Sequence, residues 1–175
     1  SLTHLAFSGV MLLRADAEVP RVAAHLKPGE PFDFDRGLAV HTLVALGTPA
    51  AREALRRAFE AEPADLELLW GVGMLGLPGQ AARVVEVFKK ASGRLKRDAA
   101  LVLGLLEEKS AGPVLTAALS DPTPAVAEAA AWALGRLGDA SAVPALAGRA
   151  LEDAAGDASL VSLGTLAEPA GLPPI

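Results

Sequence analysis

The chain has 175 residues, of which 51% are hydrophobic and 21% are charged, a composition that excludes intrinsic disorder. Its 16 Lys and Arg residues against 21 Asp and Glu residues leave a net charge of −5, which argues against a general nucleic-acid-binding domain. The absence of cysteine excludes disulfides, thiolate zinc sites and cysteine nucleophiles.

A helical repeat runs through the sequence, and it is marked by one leucine in each unit. These anchor leucines are Leu13, Leu46, Leu75, Leu106, Leu137 and Leu166. Their spacings are 33, 29, 31, 31 and 29 residues, a period typical of repeats that stack to bury a shared core. The sequence therefore predicts a single domain over residues 1–175. Its units are predicted at residues 1–30, 31–62, 63–93, 94–121, 122–153 and 154–175, the last one incomplete.

Each unit is predicted to contain two helices, and residues seven and three before the anchor share a buried face with the anchor itself. The best-formed first-helix cores are Leu68, Val72 and Leu75, then Ala99, Leu103 and Leu106, then Ala130, Leu134 and Leu137. The second helix is predicted to bury the residues nine and thirteen after the anchor. These are Val22 and Leu26, Leu55 and Phe59, Val84 and Phe88, Leu115 and Leu119, and Leu146 and Ala150.

Proline shares one register near the start of the second helix, at Pro20, Pro113 and Pro144. Its missing N–H costs nothing there, because the first-turn donors of a helix are unpaired anyway. Glu53 and Ala82 take this place in other units, so the pattern is less regular in the first half of the chain.

Residues 96–152 resemble the HEAT-like repeats, in the short variety named after phycobilisome lyases. They contain Ala-Ala-x-Ala-Leu-Gly-x-Leu-Gly-Asp at residues 130–139 and Val-Pro-x-Leu at residues 143–146. The resemblance implies an all-α fold, a right-handed α-solenoid of about six stacked helical hairpins. Units one to three depart from this pattern while keeping the hairpin period.

Catalytic and metal-binding motifs find little support in the sequence. The histidines, His4, His25 and His41, form no pair at ligand spacing, and no cysteine could complete a zinc set. Neither a nucleophile elbow nor a phosphate-binding loop is present. We therefore expect no enzyme activity, no metal and no cofactor.

Basic residues cluster in the middle of the chain, where residues 83–97 carry a local charge of +5. With an equivalent position one unit earlier, the predicted basic cluster comprises Arg57, Arg83, Lys89, Lys90, Arg94, Lys96 and Arg97. One interpretation is an inner groove for an acidic peptide or a nucleic-acid backbone. The other is ordinary solvated helix flanks balanced by neighbouring acids.

An apolar stripe is predicted on the outer face of the first helices. The position five before the anchor lies about 160° from the core direction and should be polar. Its occupants are Ser8, His41, Trp70, Leu101, Trp132 and Val161. With exposed neighbours, the predicted apolar stripe comprises Leu66, Trp70, Met74, Leu101, Leu105 and Trp132. Exposed apolar surface of this kind indicates an interaction site, unless the rings are tucked against adjacent first helices.

These features favour a non-enzymatic scaffold or adaptor that binds a protein, either an acidic partner or a second copy of the chain. The alternatives are a bilin-lyase-like accessory protein that binds a tetrapyrrole, suggested only by the family name, and weak nucleic-acid binding through the basic groove. No stretch reaches the roughly 18 apolar residues of a membrane helix. A cytoplasmic protein is the expectation.

Overall fold

The computed structural model describes residues 16–27, 34–62, 65–152 and 157–167, and the regular structure in these ranges is helical. His4, Ser8 and the first anchor, Leu13, lie outside the described residues. The chain forms two compact units, Ser1–Arg83 and Val84–Ile175.

The part of the first unit that the structure describes is helical. Its helices are α1 (Val19–Ala23), α2 (Phe34–Leu46), α3 (Pro49–Ala61) and α4 (Leu66–Leu75), and α5 (Ala81–Lys90) spans the unit boundary. Thr48 caps α3 by accepting a hydrogen bond from the Ala51 amide, and Asp65 caps α4 in the same way from the Leu68 amide at 2.9 Å. Helix α4 packs on both α2 and α3, and α1 also contacts these two helices.

The second unit repeats one helical hairpin with greater regularity. Its helices are α6 (Gly93–Leu105), α7 (Gly112–Ala118), α8 (Pro124–Leu137), α9 (Val143–Glu152) and α10 (Asp157–Ala167). The first helices of successive hairpins pack on one another, α6 on α8 and α8 on α10, while α7 packs on α8 and α9 on α10. The fold is therefore all-α, with the stacked helical hairpins of an α-solenoid. The right-handed superhelix stays a prediction.

The structure buries most of the predicted core. The fully buried members include Leu55, Phe59, Leu68, Val72, Val84, Leu103, Leu115, Leu134 and Leu146. Leu75, Leu106 and Ala150 are only half-buried. The proline register is also confirmed: Pro20, Pro113 and Pro144 each lie at the start of a second helix.

The turn between the two helices of a hairpin is conserved in geometry between two units of the second half. Gly138 ends α8 with a φ of +65°, and the Asp139 carboxylate accepts a hydrogen bond from the Ser141 amide at 2.9 Å. Thirty-one residues earlier, Glu107 has a φ of +52°. The Glu108 carboxylate there accepts a hydrogen bond from the Ser110 amide, as Asp139 does from Ser141. A glutamate in this left-handed conformation costs about 1–2 kcal/mol relative to glycine.

Candidate functional site

Glycines bring the first helices of the second unit into close contact. A Cβ atom added at Gly104 of α6 would lie 2.8 Å from the Cα atom of Ala133 on α8. A Cβ atom added at Gly135 of α8 would likewise lie 2.8 Å from the Cβ atom of Ser162 on α10. The helix backbones therefore approach each other more closely than a larger residue at either position would allow.

Trp132 of the predicted apolar stripe lies across the contact between α6 and α8. A Cβ atom at Gly104 would be 2.8 Å from the Trp132 Cζ3 atom, so the glycine provides the space for the indole ring. The Trp132 side chain is half-buried. Both sequence interpretations therefore describe part of it: one side of the ring is tucked against the neighbouring first helix, and the rest remains accessible.

Arg136 covers another part of the indole ring. Its guanidinium carbon lies 5.9 Å from the ring centroid of Trp132, within cation–π range. The same guanidinium donates a hydrogen bond to the Glu107 carboxylate at 2.5 Å, which holds it in place. Arg136 was not predicted from the sequence, although its position four residues after Trp132 on one helix was the available signal.

The remaining stripe residues of the second unit lie on the neighbouring helix α6. Leu101 and Leu105 are one helical turn apart and both are half-buried. On α10, Val161 occupies the corresponding position and is 65% exposed. The stripe in this unit is therefore a partly exposed apolar surface on helices that pack directly against one another.

In the first unit, the predicted stripe residues all lie on α4. Leu66, Trp70 and Met74 are spaced by four residues, which places them on one side of the helix. Met74 is 63% exposed, whereas Leu66 and Trp70 are half-buried. On α2, His41 is exposed.

The basic cluster of the first unit is engaged with acids and carbonyl groups. Arg57 donates a hydrogen bond to Glu53 at 2.6 Å, and Arg83 donates one to the backbone oxygen of Glu60 at 2.7 Å. Hydrogen bonds from Arg56 and Arg57 lower the pKa of Glu53 from 4.5 to about 2. These contacts reduce the positive potential of α3.

The other basic residues also have acidic partners. Lys89 and Lys90 both lie near the Glu86 carboxylate, at 3.3 and 3.9 Å. Arg94 and Arg97 pair with Asp98, whose side chain is fully buried. These ion pairs belong to the helix flanks themselves, so a binding groove for an acidic peptide or nucleic acid stays a prediction.

Lys96 makes the most specific contacts of the cluster. Its ammonium group lies 2.6 Å from the Asp121 carboxylate and 5.4 Å from the ring centroid of Phe88. The hydrogen bond from Lys96, with a second from the Thr123 amide, lowers the pKa of Asp121. Lys96 therefore joins the start of α6 to the turn before α8, which is a structural role.

The described part of the chain lacks two further features. Across residues 16–27, 34–62, 65–152 and 157–167, no three His, Cys, Asp or Glu side chains are grouped as a metal ion would require. The helices found in these same ranges are too short or too polar to cross a bilayer.

Stacked helical hairpins with a period near 31 residues define an α-helical repeat protein. A family model described as HEAT repeats matches residues 81–167. The chain is thus a HEAT-like repeat protein. The matched segment starts in α5 and covers most of the second unit, whereas the phycobilisome-lyase variety stays a prediction. No curated protein matches the sequence significantly.

Proposed function

We propose that this chain is a non-enzymatic scaffold that binds another protein through the outer surface of α6 and α8. Stacked HEAT repeats commonly serve as protein-interaction scaffolds, which supports the general role. The observation that carries the specific proposal is the Trp132 ring, which is held between Gly104 and Arg136 while part of it remains accessible.

The surroundings of Trp132 suit a binding anchor. Tryptophan and arginine are the residue types enriched at the energetic centres of protein interfaces. The ring is already held by a helix backbone and a stacked guanidinium, so its immobilisation on binding costs little entropy. Leu101 and Leu105 extend the apolar surface on the neighbouring helix. A partner would therefore contact a preorganised patch with an aromatic centre.

Charge elsewhere on the second unit bears on the kind of partner. The basic cluster on the flanks of α5 and α6 retains exposed cations beside its ion pairs, such as Lys90 and Arg94. Exposed cations outside the contact itself mainly raise the association rate of an acidic partner and influence its orientation. We therefore expect an acidic protein partner, with an association rate that falls as salt is added.

The test is affinity capture from source-cell lysate with three matched baits. Trp132→Glu places a charge in the patch, and Arg136→Ala removes the stacked cation while keeping the ring. Leu151→Glu is the control, because Leu151 is 87% exposed on α9, away from the stripe positions. A partner retained by the parent and by the control but lost with Trp132→Glu supports the proposal.

Capture that is equal for all baits would contradict the assignment of the site to Trp132. Helicity measured by circular dichroism shows whether each bait is folded, since the Trp132 ring also packs on Gly104. The Arg136→Ala bait leaves that packing in place, so a loss of the partner with this variant at unchanged helicity would be assigned to the missing guanidinium group. The bilin-binding and nucleic-acid-binding alternatives stay predictions, to be examined by tetrapyrrole absorption and by salt-dependent binding.

A further inference from the structure

Two arginines at the start of α6 are held on the surface by one buried carboxylate. The Asp98 side chain is fully buried, and its Oδ1 atom accepts hydrogen bonds from Nε and Nη2 of Arg97 at 2.8 and 2.6 Å. Its Oδ2 atom accepts a longer hydrogen bond from Nε of Arg94, at 3.4 Å. Because both guanidinium groups converge on the same carboxylate, they lie close together.

Part of each guanidinium group is left available to a ligand. The side chain of Arg94 is 67% exposed and that of Arg97 is 39% exposed. Among the described residues of the second unit, none accepts a hydrogen bond from Nη1 or Nη2 of Arg94 or from Nη1 of Arg97. The two terminal nitrogens of a guanidinium group form a fork that binds two oxygens of a carboxylate or a phosphate. Arg94 therefore presents such a fork to solvent.

The adjoining end of α5 adds two lysines to this surface. Lys89 and Lys90 lie in the last turn of α5, are exposed, and share the Glu86 carboxylate. The two helix ends lie against each other, because the Lys96 ammonium group of α6 is 5.4 Å from the ring centroid of Phe88 on α5. We call the resulting surface the basic corner, and it comprises Lys89, Lys90, Arg94 and Arg97.

The charge of the basic corner favours a dianion as its ligand. Its four cations pair with only two carboxylates, Glu86 and Asp98, which leaves a charge of +2. A carboxylate ligand carries a charge of −1, whereas a phosphate monoester carries about −1.5 to −2 at pH 7. A phosphate monoester therefore matches both the charge of the corner and the fork of Arg94.

The rest of the second unit indicates which kind of molecule carries the phosphate group. Residues 98–175 contain 3 basic residues against 10 acidic ones, so they would repel an extended polyanion such as a nucleic acid. Sites for small molecules enclose most of the ligand, whereas the four cations of the corner lie open to solvent. A compact and open basic surface instead fits a single phosphate group on a protein side chain.

We propose that the basic corner binds a phosphorylated serine or threonine side chain of a protein partner. The proposal rests on the scaffold function, since it takes the partner to be a protein. The buried Asp98 carboxylate positions both arginines before the phosphate arrives, so binding costs less side-chain entropy. Phosphorylation of the partner then controls its affinity for this chain.

The test is an NMR titration of the full chain with three blocked pentapeptides, in which glycines flank a central phosphoserine, glutamate or unmodified serine. Binding is read from the Nε–H signals of Arg94 and Arg97, which are assigned by their loss in Arg94→Gln and Arg97→Gln. The phosphoserine peptide should shift both signals and bind most tightly. The glutamate peptide should bind about fivefold more weakly, because it carries about one charge less next to the cations. The serine peptide should leave both signals unchanged.

Three variants locate the site on Arg94. Arg94→Gln removes the fork and should weaken binding of the phosphoserine peptide about tenfold. Arg94→Lys keeps the charge and loses the fork, so its affinity should lie between those of the parent and Arg94→Gln. Lys109→Gln is the matched control: it removes one positive charge from an exposed residue between α6 and α7, and it should bind as the parent does.

A phosphoserine peptide that shifts neither arginine signal, or that binds no more tightly than the glutamate peptide, would overturn the proposal. An Arg94→Gln variant that binds as tightly as the parent would do the same. So would a DNA duplex that shifts these signals at a lower concentration than the phosphoserine peptide, since the corner would then bind a nucleic-acid backbone. The titrations use no partner from a lysate, so their failure leaves the Trp132 proposal standing. Equal capture by all the Trp132 baits would likewise leave the result of the titrations standing.

Discussion

The two units stack their first helices by different means. In the second unit, Gly104 faces the Ala133 backbone and Gly135 faces Ser162, so small residues set the distance between helices. In the first unit, Gly71 faces the side chains of Val40 and Leu55. The HEAT repeats are recognised mainly where helix backbones meet directly, whereas the hairpin period extends over both units.

The largest expected effect is the loss of a buried leucine in either unit. Leu103→Ala and Leu68→Ala each remove a fully buried side chain and should lower the free energy of unfolding by about 2–5 kcal/mol. The loss for Leu103→Ala should lie at the upper end of this range, because helices in backbone contact cannot move closer to fill the cavity. Denaturant unfolding measures both values, and a smaller loss for Leu103→Ala would contradict the comparison.

A methyl group added between packed helices should distinguish the two units more directly than the loss of a leucine. Gly104→Ala forces the α6 and α8 backbones apart and should cost about 1–3 kcal/mol of unfolding free energy. Gly71→Ala should cost less, because the Val40 side chain can rotate away. Gly148→Ala on α9 is the control: its Cβ atom meets nothing within 4 Å, and alanine favours the helix by up to about 1 kcal/mol. Equal losses of unfolding free energy for Gly104→Ala and Gly71→Ala would contradict the difference between the two units.

Within the second unit, the two equivalent turns carry glycine at residue 138 and glutamate at residue 107, and substitutions at these two positions test the backbone strain. Gly138→Ala should destabilise by about 1–2 kcal/mol, because φ is +65° there, and Glu107→Gly should stabilise by up to about 1 kcal/mol. Glu107→Gln is the matched control, since it removes the ion pair with Arg136 and keeps the backbone strain. Thermal unfolding that shows no gain for Glu107→Gly would mean that the turn tolerates a side chain without strain.

The smallest effect is expected from pH. Arg56 and Arg57 lower the pKa of Glu53 to about 2 in the folded chain, from 4.5 without them. Their stabilising contribution is therefore present above pH 4.5 and is lost as the pH falls from 4.5 towards 2. In the second unit, Lys96 acts on Asp121 in the same direction, below its usual 3.8. Carboxyl titration by NMR should show both pKa shifts. In the Glu53→Gln variant, the free energy of unfolding should depend less on pH below 4.5. A normal pKa for Glu53 would contradict the ion pairs of α3.

The candidate site was only partly predictable. Counting back five residues from the anchor leucine located Trp132 and Leu101 on the outer side of the first helices, because helix geometry relates sequence spacing to direction. The same count did not show that the ring would rest on Gly104, since that contact depends on how closely two helices approach. Arg136 was missed for a related reason: its significance comes from stacking on a neighbour rather than from its own position.

Periodicity by itself determined the hairpin repeat, the buried register and the proline positions, because these follow from local helix geometry and from the need to bury one apolar side. Tertiary structure alone decided which basic residues pair with acids and how closely the first helices approach one another. The register already predicts Val161 on the outward side of α10, but it does not show that Ser162 meets Gly135 in close contact. The distance between helix backbones, which no single helix encodes, decides that only a small residue fits at that contact.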